Sequence, residues 1–148
     1  MIDRYDDKEI SNLFTLENRY NKFLDIELAV IEANVKLGKI PNSDYQLIKE
    51  KAKVDVDRIN YLETIYKHDV IAFTRSISEN LGEEKRWFHY GLTSTDVVDS
   101  AMSLIYNEAT NKLYLTIDKL LEAYKEKALK YKNLKCVART HGVHGEIT

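Results

Sequence analysis

The chain has 148 residues, with 22 Lys and Arg against 24 Asp and Glu, a formal net charge of -2, and 44% hydrophobic residues. That length and apolar content suit one ordinary domain with its own core, and the near-balanced charge gives no reason to expect a nucleic acid or a membrane surface as partner. A lone Cys136 excludes an intramolecular disulfide and fits a reducing compartment; with no apolar leader and no apolar run of membrane length, the chain reads as soluble and cytoplasmic.

One Pro and five Gly point to a nearly all-helical protein. Residues 1–12 read as polar and irregular, with at most a helical turn near Lys8–Leu13. From about Asn18 to Leu37, a three-to-four spacing through Tyr20, Phe23/Leu24, Glu27/Leu28, Ile31 and Val35 predicts a helix that Gly38 ends and Pro41 keeps from resuming. Ser43 and Gln46 form a capping-box pattern for a second helix to about Lys53. A third is predicted from Asp55 to Tyr66, with Val56, Ile59, Leu62 and Ile65 on one face. Lys67-His68-Asp69 breaks the pattern, and Asp69 is the expected cap of a fourth helix over Val70–Leu81, closed by Gly82. Residues 83–92 read as a loop, with Trp87 and Phe88 as core aromatics. No strand-like alternation stands out.

The last predicted helix runs from Thr95 to about Tyr131. Its apolar stripe passes through Val97/Val98, Ala101, Leu104/Ile105, Ala109, Leu113, Ile117, Leu120/Leu121, Tyr124, Ala128 and Tyr131, on a rod on the order of 55 Å long at about 1.5 Å per residue. A ninety-residue helical lobe cannot cover such a rod, so the stripe calls for helices from elsewhere, either other subunits or further chain. The residues divide accordingly: 1–93 as an N-terminal helical domain and 94–148 as the truncated start of a long-helix bundle. The ending Arg139–Thr148 is dense in polar functional side chains without a closing element, which suggests a fragment.

The segment Tyr90–Asp99 carries the clearest chemistry. A glycine and three consecutive hydroxyls (Thr93, Ser94, Thr95) precede about thirty-five residues without Gly or Pro. Ser or Thr with an acid three residues on marks a helix N-terminus, whose unsatisfied N–H groups and positive dipole end suit an anion. His89 lies two residues before Gly91, and all four histidines (His68, His89, His141, His144) fall at breaks or loops. His141-x-x-His144 with Cys136 nearby falls short of the three or four ligands zinc sites use. No phosphate-cradling glycine loop, nucleophile elbow or Cys–His pair is present.

Four segments, Asp3-Arg4-Tyr5, Lys67-His68-Asp69-Val70-Ile71-Ala72-Phe73, His89-Tyr90-Gly91-Leu92-Thr93-Ser94-Thr95-Asp96 and Arg139-Thr140-His141-Gly142-Val143-His144, together resemble the adenylosuccinate lyase family in order and separation. Fumarases and argininosuccinate lyases of the same fumarase/aspartase superfamily carry other residues after the equivalent Ser. The resemblance implies an all-α homotetramer whose subunits share a central bundle, and cleavage of fumarate from adenylosuccinate and from the succinylated carboxamide intermediate of purine synthesis (SAICAR). It implies His141 as general acid, with His68 orienting the substrate and supporting that acid. It further implies Arg4 and Tyr5 at the nucleotide phosphate, Lys67, His68 and Asp69 lining the substrate pocket, Thr93 and Ser94 at the succinyl carboxylate, His89 and Thr140 on the substrate side, and no metal or organic cofactor. Two departures stand out. Gly145-Glu146-Ile147-Thr148 replaces the family's Ala-Glu-Pro-Thr, which should loosen the turn after His144, and the family's catalytic serine lies beyond residue 148. Two other readings stay open: another superfamily member, such as an argininosuccinate lyase-like enzyme or a cycloisomerase, and a non-catalytic helical oligomerisation module.

Overall fold

The computed structural model describes residues 2–148. It contains six α-helices and one β-hairpin: α1 Lys8–Ser11, α2 Leu16–Lys36, α3 Asn42–Lys51, α4 Val56–Tyr66, α5 Asp69–Ser78, α6 Ser94–Tyr131, β1 Val137–Thr140 and β2 Val143–Ile147, with short 3-10 turns at Asp3–Tyr5, Asn12–Phe14 and Glu83–Trp87. The chain separates into two compact units that meet within α6, Met1–Thr110 and Asn111–Thr148.

Local chemistry sets most helix ends. Thr15 is extended and its hydroxyl accepts the Asn18 N–H at 3.3 Å, so α2 begins at Leu16, earlier than its apolar periodicity suggests. At the other end Gly38 takes φ +70, the Gly38 N–H reaches the Val35 carbonyl, and the Lys39 N–H reaches that of Asn34. This Schellman arrangement satisfies the last carbonyls and needs a residue at ease in the left-handed region. The expected Ser43–Gln46 capping box does not form. Ser43 already lies inside α3, Pro41 occupies the cap, and Gln46 instead donates to Asn42 at 3.5 Å. Proline suits that start because its fixed φ is pre-set and its missing N–H has no partner to lose. Asp55, at the predicted start of the third helix, is the cap of α4, accepting the Arg58 N–H at 2.9 Å.

The first unit has one core. Tyr20 and Phe23 of α2, Phe73 of α5 and Phe88 form a chain of ring contacts 5.6–5.9 Å apart. Ile31, Ile48, Ile59, Val70, Ile77, Val97 and Ala101 close around them. Trp87 packs on this core and its indole N–H donates to Asp44 at 2.7 Å. Of the apolar face expected on α4, Ile59 and Leu62 are buried, while Ile65 is exposed one turn later. Burial along α6 covers Val97, Ala101, Ile105 and Ala109 and stops there. Farther along, Leu113, Ile117, Leu120, Leu121 and Tyr124 are exposed. Among the described residues, no helix is long and apolar enough to cross a membrane.

In the second unit the expectation of no strand is corrected. Thr140 pairs with Val143 across His141 (φ 50) and Gly142 (φ 79), a two-residue turn with both central residues left-handed, whose twist matches that of paired strands. The register continues through Arg139 with His144 and Val137 with Ile147, with Gly145 and Glu146 opposing Ala138 as a bulge. Every residue of both strands is exposed, so no buried face imposed the apolar–polar alternation by which a strand is read. The loosened turn expected after His144 is likewise absent. The segment runs on as strand to Ile147, and Cys136 and Thr148 exchange backbone bonds of 2.8 and 2.9 Å.

Candidate active site

The break between α4 and α5 is built by two residues with unlike roles. Lys67 ends α4 in the left-handed region (φ 54) without glycine's freedom there, and its N–H bonds the Glu63 carbonyl at 2.8 Å. His68 is then extended and caps α5, its Nδ1 accepting the Ile71 N–H at 3.4 Å. The expected cap, Asp69, is instead the first helical residue, because the imidazole already occupies the capping position. An accepting Nδ1 carries no proton, so the neutral ring holds it on Nε2, which faces the Ser94 hydroxyl at 3.5 Å. Asp69 spends one oxygen on the Val70 N–H and the other on Arg19 at 2.9 Å. Arg19 lies over the Phe23 ring, and its buried Nε has no hydrogen-bond partner.

At the start of α6 the predicted cap forms with its roles partly exchanged. The Asp96 carboxylate accepts both the Thr93 N–H at 2.8 Å and the Thr93 hydroxyl at 3.0 Å. The backbone bond from Thr93 is the main reason the Asp96 carboxyl titrates below its ordinary range. A carboxyl whose folded value is depressed contributes stability above its ordinary value near 3.8, and that contribution disappears as pH falls through the folded value. Asp96→Asn is therefore expected to lower the melting temperature at pH 6, with the gap to the unsubstituted chain closing in acid. Thermal unfolding of both chains across that range checks this, and a gap that is constant with pH would refute it.

His89 has a partner that sequence reading missed. It takes φ 63; its backbone N–H donates to Glu27 Oε2 at 2.9 Å and its Nδ1 lies 2.6 Å from Glu27 Oε1. Glu27 is fully buried on α2. Its carboxyl titrates above the ordinary range because burial pushes it up by more than the bonds from His89 pull it back. The available signal was an acid falling within the apolar stripe of α2, where a buried charge requires a partner.

Arg4 donates to the Tyr5 hydroxyl at 3.0 Å and lies over its ring, both residues exposed. Thr140 closes β1 and His141 forms the tip of the hairpin in the second unit. Among the described residues, no three His, Cys, Asp or Glu side chains gather as a metal site. The first unit thus joins His68, Asp69 and Ser94, with Thr93 and Asp96 at the same helix start and His89 held on Glu27. A common feature runs through both units: among the described residues, the non-glycine positions with positive φ are Lys67, His89 and His141. Each costs on the order of 1–3 kcal/mol of backbone strain, which persists where surroundings over-determine it, most often at ligand sites.

The relatives agree with the resemblance. A family model described as Lyase matches residues 4–146. An adenylosuccinate lyase of Staphylococcus saprophyticus is 47% identical over all 148 residues, and that of Bacillus subtilis 45%; this chain spans 34% of the length of each. In three dimensions it is similar to a fumarate lyase of Mesorhizobium sp. BNC1 (TM-score 0.86, 21% identity, 95% of this chain and 34% of that one). It is also similar to the 3-carboxy-cis,cis-muconate lactonizing enzyme of Pseudomonas putida (TM-score 0.84, 23% identity, 95% and 34%). The chain belongs to the Lyase family, and what it matches is the N-terminal portion of adenylosuccinate lyases.

Proposed function

We propose that this chain is the N-terminal part of an adenylosuccinate lyase, a cytoplasmic homotetramer that removes fumarate from adenylosuccinate to leave AMP and acts likewise on SAICAR. The observation that carries the reading is the coincidence of strained backbone with the residues the resemblance names: Lys67, His89 and His141. Identity of 45–47% over all 148 residues to enzymes of that name, 34% of whose length is covered, supports it.

In this reading a base takes the proton from the carbon beside a carboxylate, the carbon–nitrogen bond breaks, and an acid protonates the departing nitrogen. The intermediate carbanion spreads its charge into that carboxylate, so donors fixed there lower the barrier. Ser94, and Thr93 once its hydroxyl leaves Asp96, hold the succinyl carboxylate at the positive end of α6, and His68 presents Nε2–H beside Ser94. His141 delivers the proton to nitrogen, its ordinary value of roughly 6.5 suiting transfer near neutrality. Arg4 and Tyr5 bind the nucleotide phosphate, Lys67 and Asp69 line the pocket, and His89 and Thr140 complete the substrate side. No metal or organic cofactor enters the scheme. The exposed stripe Leu113, Ile117, Leu120, Leu121 and Tyr124 is the surface for neighbouring long helices of the tetramer.

Since the family's catalytic serine lies outside these 148 residues, the chain by itself is expected to be inactive, while the intact enzyme consumes adenylosuccinate in preference to argininosuccinate. The ultraviolet absorbance change on cleavage measures both. Turnover by the isolated chain would refute the first expectation, and a preference for another dicarboxylate the second.

A further inference from the structure

Glu27 belongs to none of the motifs, yet both its carboxylate oxygens are committed to one residue. Oε2 takes the His89 backbone N–H and Oε1 faces its Nδ1 at 2.6 Å. A fully buried acid is tolerated when its lone pairs meet donors, and here the donors come from a residue held in the left-handed region. The ring is not buried with its partner: about a quarter of the His89 side chain stays accessible. It borders a groove also lined by Thr74, Arg75, Ser78, Glu79 and Lys85, polar side chains of both charge signs.

We propose that Glu27 is a positioning residue that locks His89 as the Nδ1–H tautomer and leaves Nε2 as an unprotonated acceptor for a ligand group that donates a hydrogen bond. A carboxylate has no proton to give, so with the backbone N–H on one oxygen the other selects a donating Nδ1. His68 carries the opposite assignment, because its Nδ1 accepts from the backbone and its Nε2 holds the proton. The site thereby holds one imidazole with Nε2 as donor and one with Nε2 as acceptor. That the ligand of His89 is the substrate rests on the lyase reading; the tautomer does not.

The two statements separate experimentally. Long-range proton–nitrogen correlations on the ¹⁵N-labelled chain, at a pH where imidazoles are neutral, should find the His89 proton on Nδ1 and that of His68 on Nε2. In Glu27→Gln the amide oxygen can keep the backbone N–H while the amide nitrogen donates to Nδ1, so the His89 proton is expected to move to Nε2 while His68 stays as it was. A His89 proton on Nε2 in the unsubstituted chain overturns the proposal, and that measurement stands even if the variant does not fold. In the intact enzyme the same substitution should raise KM about tenfold and leave kcat within about threefold, the size of effect expected from one misdirected hydrogen bond. An inverted tautomer with unchanged KM would overturn the positioning role. Absence of lyase activity altogether would sink the functional reading while leaving the tautomer result intact.

Discussion

Replacing His141 in the intact enzyme is expected to lower kcat by about 10²–10⁴-fold, the range over which a positioned general acid contributes. The choice of replacement matters because His141 sits at φ 50 in the turn between β1 and β2. Alanine would add the cost of a left-handed backbone to the loss of the imidazole, whereas asparagine is among the residues that tolerate that conformation. His141→Asn therefore removes the proton donor while keeping the hairpin. Steady-state cleavage of adenylosuccinate, with circular dichroism as the check on folding, measures the effect. Activity within about threefold of the unsubstituted enzyme would remove His141 from the acid's role.

Truncating Phe73 to alanine is expected to destabilise the first unit by about 3–5 kcal/mol, the largest single effect on stability foreseen here. Phe73 is fully buried and touches three other rings: Tyr20 stacked at 5.9 Å, Phe23 edge-on at 5.6 Å and Phe88 tilted at 5.9 Å. Removing it opens a cavity among rigid rings that cannot collapse to fill the space, and forfeits their mutual contacts. The consequence extends to the site, because Phe73 ties α5, which His68 caps, to α2, which carries Glu27. A fall in melting temperature of about 10 °C or more is expected for a unit of this size. A fall of less than about 3 °C would show that the aromatic chain is not the centre of the core.

Charged side chains at the helix starts show where sequence suffices. Asp55, Thr93 with Asp96, and the Gly38 ending were all legible, since each acts on backbone groups within three or four residues of itself. Competition between neighbours was harder to read. Either His68 or Asp69 could have capped α5, and only the fold decides which of them faces Ile71 and which turns to Arg19, fifty residues away in sequence. The hairpin escaped notice for another reason, since strands exposed on both faces leave no periodic trace. Its two-residue turn at His141-Gly142 was signalled by a single glycine.

By itself the sequence determined the helical class, the order of helices in the first hundred residues, the capped start of α6 and, through four motifs, the family. These follow from short-range periodicity, capping and residue identity, which need no knowledge of what lies opposite. Only the tertiary structure decided that a glutamate in the apolar stripe of α2 grips His89, that the two site histidines receive opposite tautomers, and that burial along α6 stops at Ala109. The grip on His89 and its tautomer depend on a group 62 residues away in sequence, and the limit of burial on the area its neighbours cover; no local pattern encodes such a partner.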